Sequence, residues 1–562
     1  MKKKYLSIFT ICLLGLGLRV WGVQFGLPRS ATSDELETMY HAFVIAGKGT
    51  SGLYQGYAIL SDYISLALLG AVYLFVRLTS QINSADEYFR LFFREAHYFL
   101  LAGRVIFAGI SGLLILTTWK FTQKLLGARE SLAAAYFVAT SFLGVTTGRY
   151  IKDDTLVAIL SVTSLYLCLN KKNILAGFCL GIAVATRYYP IGVLAGFWIL
   201  TGKNWQAISR YLGGLTIGIL LTNPLILVDF RSFYNGFSQT SGYLAENFVY
   251  ANVGQRIAGS LTDIIWDGWG NMPAILSIIG IAYIVRRPGK NKILRAMLAA
   301  ATVTLALLLL VGAEFPRFGI ILLPFLAIFS GVALQYIFKD WAIFRNTPIF
   351  ICVLLIISSQ NLLRIIKYTR LTLAPDTKVA AQKWIEENVA ANKVIVNEGY
   401  ISPTGMPVLG VHLYPETSVV QMQIDKSPGR GERMMWDIFQ HQAVSHQRFN
   451  IIPAHLLNEY WDNANGELTE VDPQKWQESA DYLVINDWVR PHLFDGEVAK
   501  LESFGNWELT AKFQGYPMLK FDPHNWRYDW QAIDQVKFFQ PEIMFGPRVI
   551  VYKNTLSKKS QP

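Results

Sequence analysis

The chain has 562 residues, of which 52% are hydrophobic and 16% charged, against roughly 25% charged in an ordinary soluble domain. Its net charge is +11, but Lys and Arg come in short clusters between apolar runs and form no single basic stripe. That pattern excludes a nucleic-acid binder and suits the cytoplasmic loops of an integral membrane protein. The cysteines, Cys12, Cys168, Cys179 and Cys352, all lie inside apolar runs, which excludes a disulfide framework and a cysteine metal site.

Charges are scarce before residue 370 and ordinary beyond it, so a membrane part, 1–369, is expected before a soluble part, 370–562. Met1-Lys2-Lys3-Lys4 leads into the first apolar run with no small-residue cleavage site, which predicts an uncleaved first helix. The apolar runs are roughly 5–27, 98–119, 131–148, 155–169, 174–201, 211–228, 272–285, 294–312, 318–338 and 347–366. A span needs about 20 residues. The run 174–201 is too long for one and holds Arg187 and Pro190 at its middle, so it divides there, giving about eleven spans.

With Lys2, Lys3 and Lys4 inside, even-numbered spans end inside. The loops so placed carry Lys120, Lys124 and Arg129; Lys171 and Lys172; Lys203 and Arg210; Arg286, Arg287, Lys290, Lys292 and Arg295; Lys339 and Arg345. Each is basic, as cytoplasmic loops are. Residues 57–78 are apolar enough to span, but a span there would turn every basic loop outward. They are read as a helix lying on the outer surface, within a first loop of about 28–97.

The outer loops hold a different chemistry. Ser33-Asp34-Glu35 follows the first span, Lys152-Asp153-Asp154-Thr155 lies between spans three and four, Arg187 sits at the turn in 174–201, Asp229 follows Asn223-Pro224, and Glu314 and Arg317 precede the tenth span. Ionisable groups at membrane depth are costly and mark sites. Several acids with two arginines on one face suit a substrate that carries hydroxyl and phosphate groups. The plainer reading of any one acid is the polar cap of a helix end.

These stretches resemble the polyprenyl-phosphate-dependent membrane glycosyltransferases of the GT-C fold, in the style of the dolichyl-phosphate-mannose–protein mannosyltransferases and the lipid A aminoarabinose transferases. Leu18-Arg19-Val20 with Ser33-Asp34-Glu35 is similar to that family's opening and first outer loop. Gly148 to Leu156 resembles its second acidic loop, and Ala176-Gly177 through Thr186-Arg187-Tyr188 its Gly-rich fifth helix. Asn223-Pro224 with Asp229 and Phe233, Pro316-Arg317-Phe318 with Pro324, and Asp376-Thr377-Lys378 with Trp384-Ile385 and Asn388 follow in order, and Gly546-Pro547 with Val549 to Tyr552 resembles its closing strand. The sequence departs at Tyr54-Gln55-Gly56-Tyr57, where the family often has Pro, and it lacks the basic residue that holds phosphate in the first loop of the aminoarabinose transferases.

The resemblance implies an inverting transfer of a sugar from a polyprenyl-phosphate-linked donor to a hydroxyl of a protein, lipid or glycan acceptor, at the outer face of a bacterial inner membrane. Asp34 is then the expected general base, with Asp154 the second catalytic acid. Asp154 would bind acceptor or a cation, or hold an arginine in place, and Asp153 is its runner-up. Glu35 would orient acceptor or helix. Arg187 and Arg317 would meet the charge growing on the phosphate, the alternative being ion pairs with Glu314 or Asp229. No dedicated metal cluster is visible, although the two acids could hold a divalent cation. His441 and His446 read as surface residues.

The soluble part reads as mixed α/β, with a helix over 376–388 and strands at Val394-Ile395-Val396 and Tyr482 to Ile485. Its aromatics, Trp436, Tyr460, Trp461, Trp488, Trp507, Trp526 and Trp530, read as core or interface anchors, with carbohydrate stacking as the alternative. A flippase or transporter of lipid-linked sugars would place its ionisable groups near the midplane of paired halves. A surface-polysaccharide polymerase or ligase shares the leading chemistry.

The charge alternation predicts that the C-terminal part lies outside the cytoplasm. A fusion after Pro562 should be silent with a reporter that works only in the cytoplasm and active with one that works only outside. The reverse pattern would make 57–78 a span.

Overall fold

A computed structural model describes residues 2–27, 33–48, 60–236, 238, 253–287, 291–310, 316–338, 347–391, 393–398, 411, 413–415, 421, 425, 447–454, 480–486, 506–514, 519–522, 525–528 and 548–555. Tyr54 to Tyr57, Glu314, His441, His446, Trp436, Tyr460, Trp461, Trp488, Trp530 and Gly546-Pro547 lie outside these described residues. The chain divides into two compact units. One is Met1–Val23, Asp34–Val72 and Leu101–Lys367; the other is Gln24–Ser33, Tyr73–Leu100 and Tyr368–Pro562.

The apolar runs are helices: α1 (Lys2–Val20), α2 (Ser33–Lys48), α3 (Leu60–Leu78), α4 (Ala85–Arg94), α5 (Ala96–Leu125), α6 (Ala128–Thr140), α7 (Phe142–Thr147), α8 (Asp154–Leu169), α9 (Asn173–Thr186), α10 (Val193–Thr201), α11 (Trp205–Thr222), α12 (Val253–Leu261), α13 (Asn271–Arg286), α14 (Lys292–Leu310), α15 (Leu323–Phe338) and α16 (Thr347–Thr372). Among the described residues five helical stretches are long and apolar enough to cross a membrane: Leu60–Leu78, Ala96–Leu125, Lys292–Leu309, Arg317–Phe338 and Thr347–Thr372. Ile257–Trp269 with Asn271–Arg286, bent by 109°, would make a sixth, and four further apolar helices are shorter. This is a polytopic helical membrane protein. In α3 the charge rule and the helix length pull in opposite directions, since Leu60–Leu78 is one of the five.

One apolar run is broken where its hydropathy is continuous, and another begins at a sharp bend. The run 131–148 divides at Ser141, whose extended backbone ends α6 and whose Oγ accepts from the Gly144 amide at the head of α7 (3.2 Å). The break leaves the last carbonyls of α6 without helical donors. Arg19 of α1 supplies them: its guanidinium donates to Ala139 O and Val138 O at 3.2 Å, to Gly15 O at 2.9 Å and to Ser111 Oγ of α5 at 2.8 Å. One buried cation thus ties α1, α5 and α6. The bend before α13 turns on Gly270, at φ 99°, where a Cβ would run into Asn361 of α16. Before the bend, Asn361 Nδ2 donates to Trp269 O (2.7 Å) and Arg364 pairs with Asp267 (3.0 Å); beyond it, Asn271 N donates to Gln360 Oε1 (3.0 Å), so α16 holds both sides.

Small residues set the closest helix packing. Gly177 and Gly181 of α9 face Gly214 and Gly218 of α11, and a Cβ at Gly177 or Gly214 would enter the backbone of Tyr211 or Ile174. This four-residue spacing lets membrane helices approach without a hydrophobic drive between them.

From residue 377 the described chain forms α17 (Thr377–Asn388) and β1 (Val394–Glu398), β2 (Tyr414–Pro415), β3 (Arg448–Ala454), β4 (Tyr482–Asn486), β5 (Trp507–Phe513), β6 (Leu519–Asp522), β7 (Asn525–Tyr528) and β8 (Val549–Asn554). Six strands make one sheet in the order β2-β3-β1-β4-β8-β5, parallel from β2 to β4, with β8 antiparallel to β4 and β5. Both faces are covered. Ile395, Val484 and Val551 pack with Ala381 and Ile385 of α17, while Val396, Leu483, Ile550 and Tyr552 form the opposite core with Trp507. Alternation along each strand sends neighbours to opposite faces. Asp376 caps α17 by accepting from Lys378 N (2.7 Å).

The α9–α11 contact predicts that Gly177→Leu lowers thermal stability in detergent by about 1–3 kcal/mol through overpacking. Gly213→Ala, where nothing lies within 4 Å of the new Cβ, should be neutral or stabilising by up to about 1 kcal/mol. Equal effects of the two would contradict the packing.

Candidate functional site

Asp153 and Asp154 open α8. Asp153 occupies the N-cap position without a capping hydrogen bond from its side chain, and Asp154 sits in the first turn, where the helix dipole favours an anion. Both side chains are 0% exposed. A buried carboxylate needs a cation, and two arrive from two further breaks. Arg187 ends α9 with extended backbone (φ −146°, ψ 136°), and Pro190 in the turn that follows cannot continue an α-helix. Arg317 starts the 3-10 turn Pro316–Leu322 that leads into α15.

Arg187 Nη2 donates to Asp153 Oδ1 at 3.2 Å, and its Nε lies 3.6 Å from Asp154 Oδ1. Arg317 Nε lies 3.7 Å from Asp154 Oδ2. Both guanidiniums stand over the Phe318 ring, at 5.3 and 5.6 Å from its centroid, within cation–π range. Arg187 is 24% exposed and Arg317 14%. The carboxylates are therefore sealed while the guanidinium side chains stay partly exposed. Burial pushes the Asp153 carboxyl up from its ordinary value, and Arg187 works against that shift.

Tyr189 belongs to the same cluster. It is buried, its ring tilts against Phe318 at 5.9 Å, and it is close enough to Asp154 and Arg187 to feel both charges. Its hydroxyl has no hydrogen-bond partner among the described residues. Nothing in the sequence separated Tyr189 from its neighbour Tyr188; only the turn geometry does.

The start of α2 is anchored by a buried arginine. Glu35 of α2 is 0% exposed and takes a two-pronged contact from Arg104 of α5: Nη2 to Oε2 at 2.6 Å and Nε to Oε1 at 2.9 Å. Glu35 Oε1 also accepts from the Ile151 amide at 3.1 Å, two residues before Asp153. Asp34 lies in the first turn of α2; its side chain is outside the described residues.

Asp229 stands apart. Both its oxygens face Ser232, whose amide donates at 3.0 Å and whose hydroxyl donates as well, so it caps the helical turn that follows. The Ser232 bonds hold its carboxyl below the usual carboxylate range. No polar contact among the described residues joins Asp229 to the Arg187–Arg317 cluster. Among the described residues the acids that face these arginines are Asp153 and Asp154; Asp229, one partner the sequence offered, faces Ser232 instead, and Glu314, the other, lies outside the described residues.

Among the described residues no group of three or more His, Cys, Asp or Glu is placed to hold a metal ion. Asp153 Oδ1 and both Asp154 oxygens face the guanidiniums, while Asp153 Oδ2 has no hydrogen-bond partner among the described residues.

Residues 89–311 match the family model of glycosyltransferase family 87, a GT-C-like family of membrane glycosyltransferases. The match supports a membrane glycosyltransferase and agrees with the GT-C resemblance of the sequence. It takes in Arg104, Asp153, Asp154, Arg187 and Asp229, while Asp34, Glu35 and Arg317 lie beyond its ends. No curated protein matches the chain.

Proposed function

We propose, with the family 87 match as premise, that this membrane glycosyltransferase moves a sugar from a polyprenyl-phosphate donor to an acceptor hydroxyl with inversion, at the outer face of the membrane. The observation that carries the reading is the pair of partly exposed guanidiniums of Arg187 and Arg317, set over one ring and backed by two buried carboxylates.

The acceptor oxygen attacks the anomeric carbon as the bond from that carbon to the phosphate oxygen breaks. The hydroxyl proton passes to a carboxylate, for which Asp34 is the choice. The leaving polyprenyl phosphate gains charge on the oxygen that carried the sugar. Guanidiniums already aimed by Asp153 and Asp154 need little reorganisation to meet that charge, and their planar fork suits phosphate oxygens. In this arrangement Asp153 and Asp154 orient the arginines and do not touch substrate. Asp154 thus holds an arginine in place, one of the roles its sequence context offered. Glu35 acts as an anchor, and Asp229 as a helix cap. The Tyr189 hydroxyl, beside the same charges, is free to bond a phosphate or sugar oxygen. Topology follows from charge: the basic loops inside put this end of α8, the Arg187 turn and the C-terminal sheet outside.

Purified protein with polyprenyl-phosphate hexoses and pentoses tests the reading. Asp34→Asn should cut turnover by about 10²–10⁴-fold while donor still binds. Arg187→Lys and Arg317→Lys keep a cation over the buried acids but lose the fork, and each should weaken donor use by about tenfold or more. Retention of a third or more of turnover by Asp34→Asn would reject Asp34 as the base. Unchanged donor affinity in both lysine variants would make the arginines structural.

A further inference from the structure

We infer that Arg104 is a positioning residue for the transfer reaction, holding the start of α2, which carries Asp34, in register with the loop that carries Asp153 and Asp154. The inference rests on the proposed reading of those residues.

Arg104 is the one charged residue in the apolar run 98–119, and its side chain is 0% exposed. A cation there is expensive unless it is fully engaged. It is engaged directly with two segments and, through Glu35, with a third. Its Nε and Nη2 take both oxygens of Glu35 at the start of α2, and its Nη1 donates to Val23 O beyond the end of α1 (3.0 Å). Through Glu35 Oε1 the contact extends to the Ile151 amide.

Packing repeats the polar connection at the next residue. A Cβ on Gly103 would come within 2.5 Å of Met39 Cε and 2.7 Å of Ile151 Cδ1. Met39 and Ile151 are themselves fully buried. One turn of α5 therefore grips α2 and the 148–153 loop twice, once by charge and once by shape.

The geometry has a direct consequence for the site. Successive helical residues are set about 100° apart around the axis. Pinning Glu35 inward fixes the rotation of α2 and with it the place of its neighbour Asp34. Pinning Ile151 fixes the loop two residues before Asp153. The first turn of α2 and the loop before Asp153 are then held in register by one guanidinium that need touch no substrate. Stability alone is a weak reason for such a pair, because apolar side chains of similar size in place of a buried ion pair often leave stability unchanged or raised.

The test is the double variant Glu35→Leu with Arg104→Met, beside Arg104→Lys and wild type, in lipid nanodiscs with a panel of polyprenyl-phosphate hexoses and pentoses. Melting temperature, donor-binding stoichiometry and turnover per donor-binding molecule are read together. The double variant should melt near wild type and bind donor at full stoichiometry. Its turnover should fall about 10–100-fold, as a displacement of about 1 Å costs, with the loss in kcat and little change in donor KM. Arg104→Lys, which keeps the charge and loses the fork, should fall between. Wild-type turnover per binding molecule in the double variant, or turnover that falls only in proportion to binding-competent protein, overturns the inference. If the double variant does not fold, Arg104→Lys decides by the same ratio. No transfer by wild type from any donor is a separate result: it removes the functional reading itself, and this inference with it.

Discussion

A charge buried inside a membrane unit has to be met, and here the meeting points are breaks in helices. Asp153 and Asp154 are fully buried at the head of α8. The cations that answer them come from the broken end of α9 and from the 3-10 turn before α15. An uncompensated buried carboxylate would cost several kcal/mol, so these turns are bound to one another as firmly as packed helices. The candidate site is the place where that demand brings them together.

Irregular backbone at membrane depth is tolerated only where protein or a lined cavity satisfies its polar groups. Each break here shows how that is done. Arg19 takes the carbonyls that the end of α6 exposes at Ser141. Asn361 and Arg364 of α16 hold the bend at Gly270. Arg187 caps a helix end and is itself held by Asp153 and Asp154 while staying partly exposed. The same rule thus yields sealed clamps at Arg19 and, in the proposed reading, a ligand-facing surface where the cation is partly open. Stacking on Phe318 adds a second constraint on the two guanidiniums, so neither has to order its own fork when an anion arrives.

Much of this was legible in the amino-acid pattern. Hydropathy marked the stretches that form most of the helices before residue 370, though not α2, α4 or α12, and the Arg187–Pro190 break was readable because a charge and a proline interrupt an overlong run. The helix over 377–388 and the strands at 394–398 and 482–486 were readable because their apolar periods differ. The break at Ser141 was not, since Ser is ordinary in membrane helices and hydropathy runs through it; the bend at Gly270 lies just before the run 272–285, where hydropathy marks no helix to be bent. Arg104 was the clearest miss: one arginine hardly dents the hydropathy of 98–119, yet its cost at that depth is itself a signal that a buried partner exists. Pairing was beyond the pattern. Nothing local says that Glu35 meets Arg104 while Asp229 meets Ser232, or that β1 lies between β3 and β4.

The central claim is that a carboxylate and two acid-backed arginines act on opposite sides of one anomeric carbon. The configuration of the product tests this most directly. Purified protein is given a polyprenyl-phosphate sugar of defined anomeric configuration together with an acceptor hydroxyl, and the new glycosidic linkage is assigned from its anomeric proton by NMR. Direct displacement, with the base on the acceptor side and the arginines on the phosphate side, predicts an inverted linkage. A linkage that retains the donor's configuration would contradict it, because retention needs a nucleophile where this account places only a base.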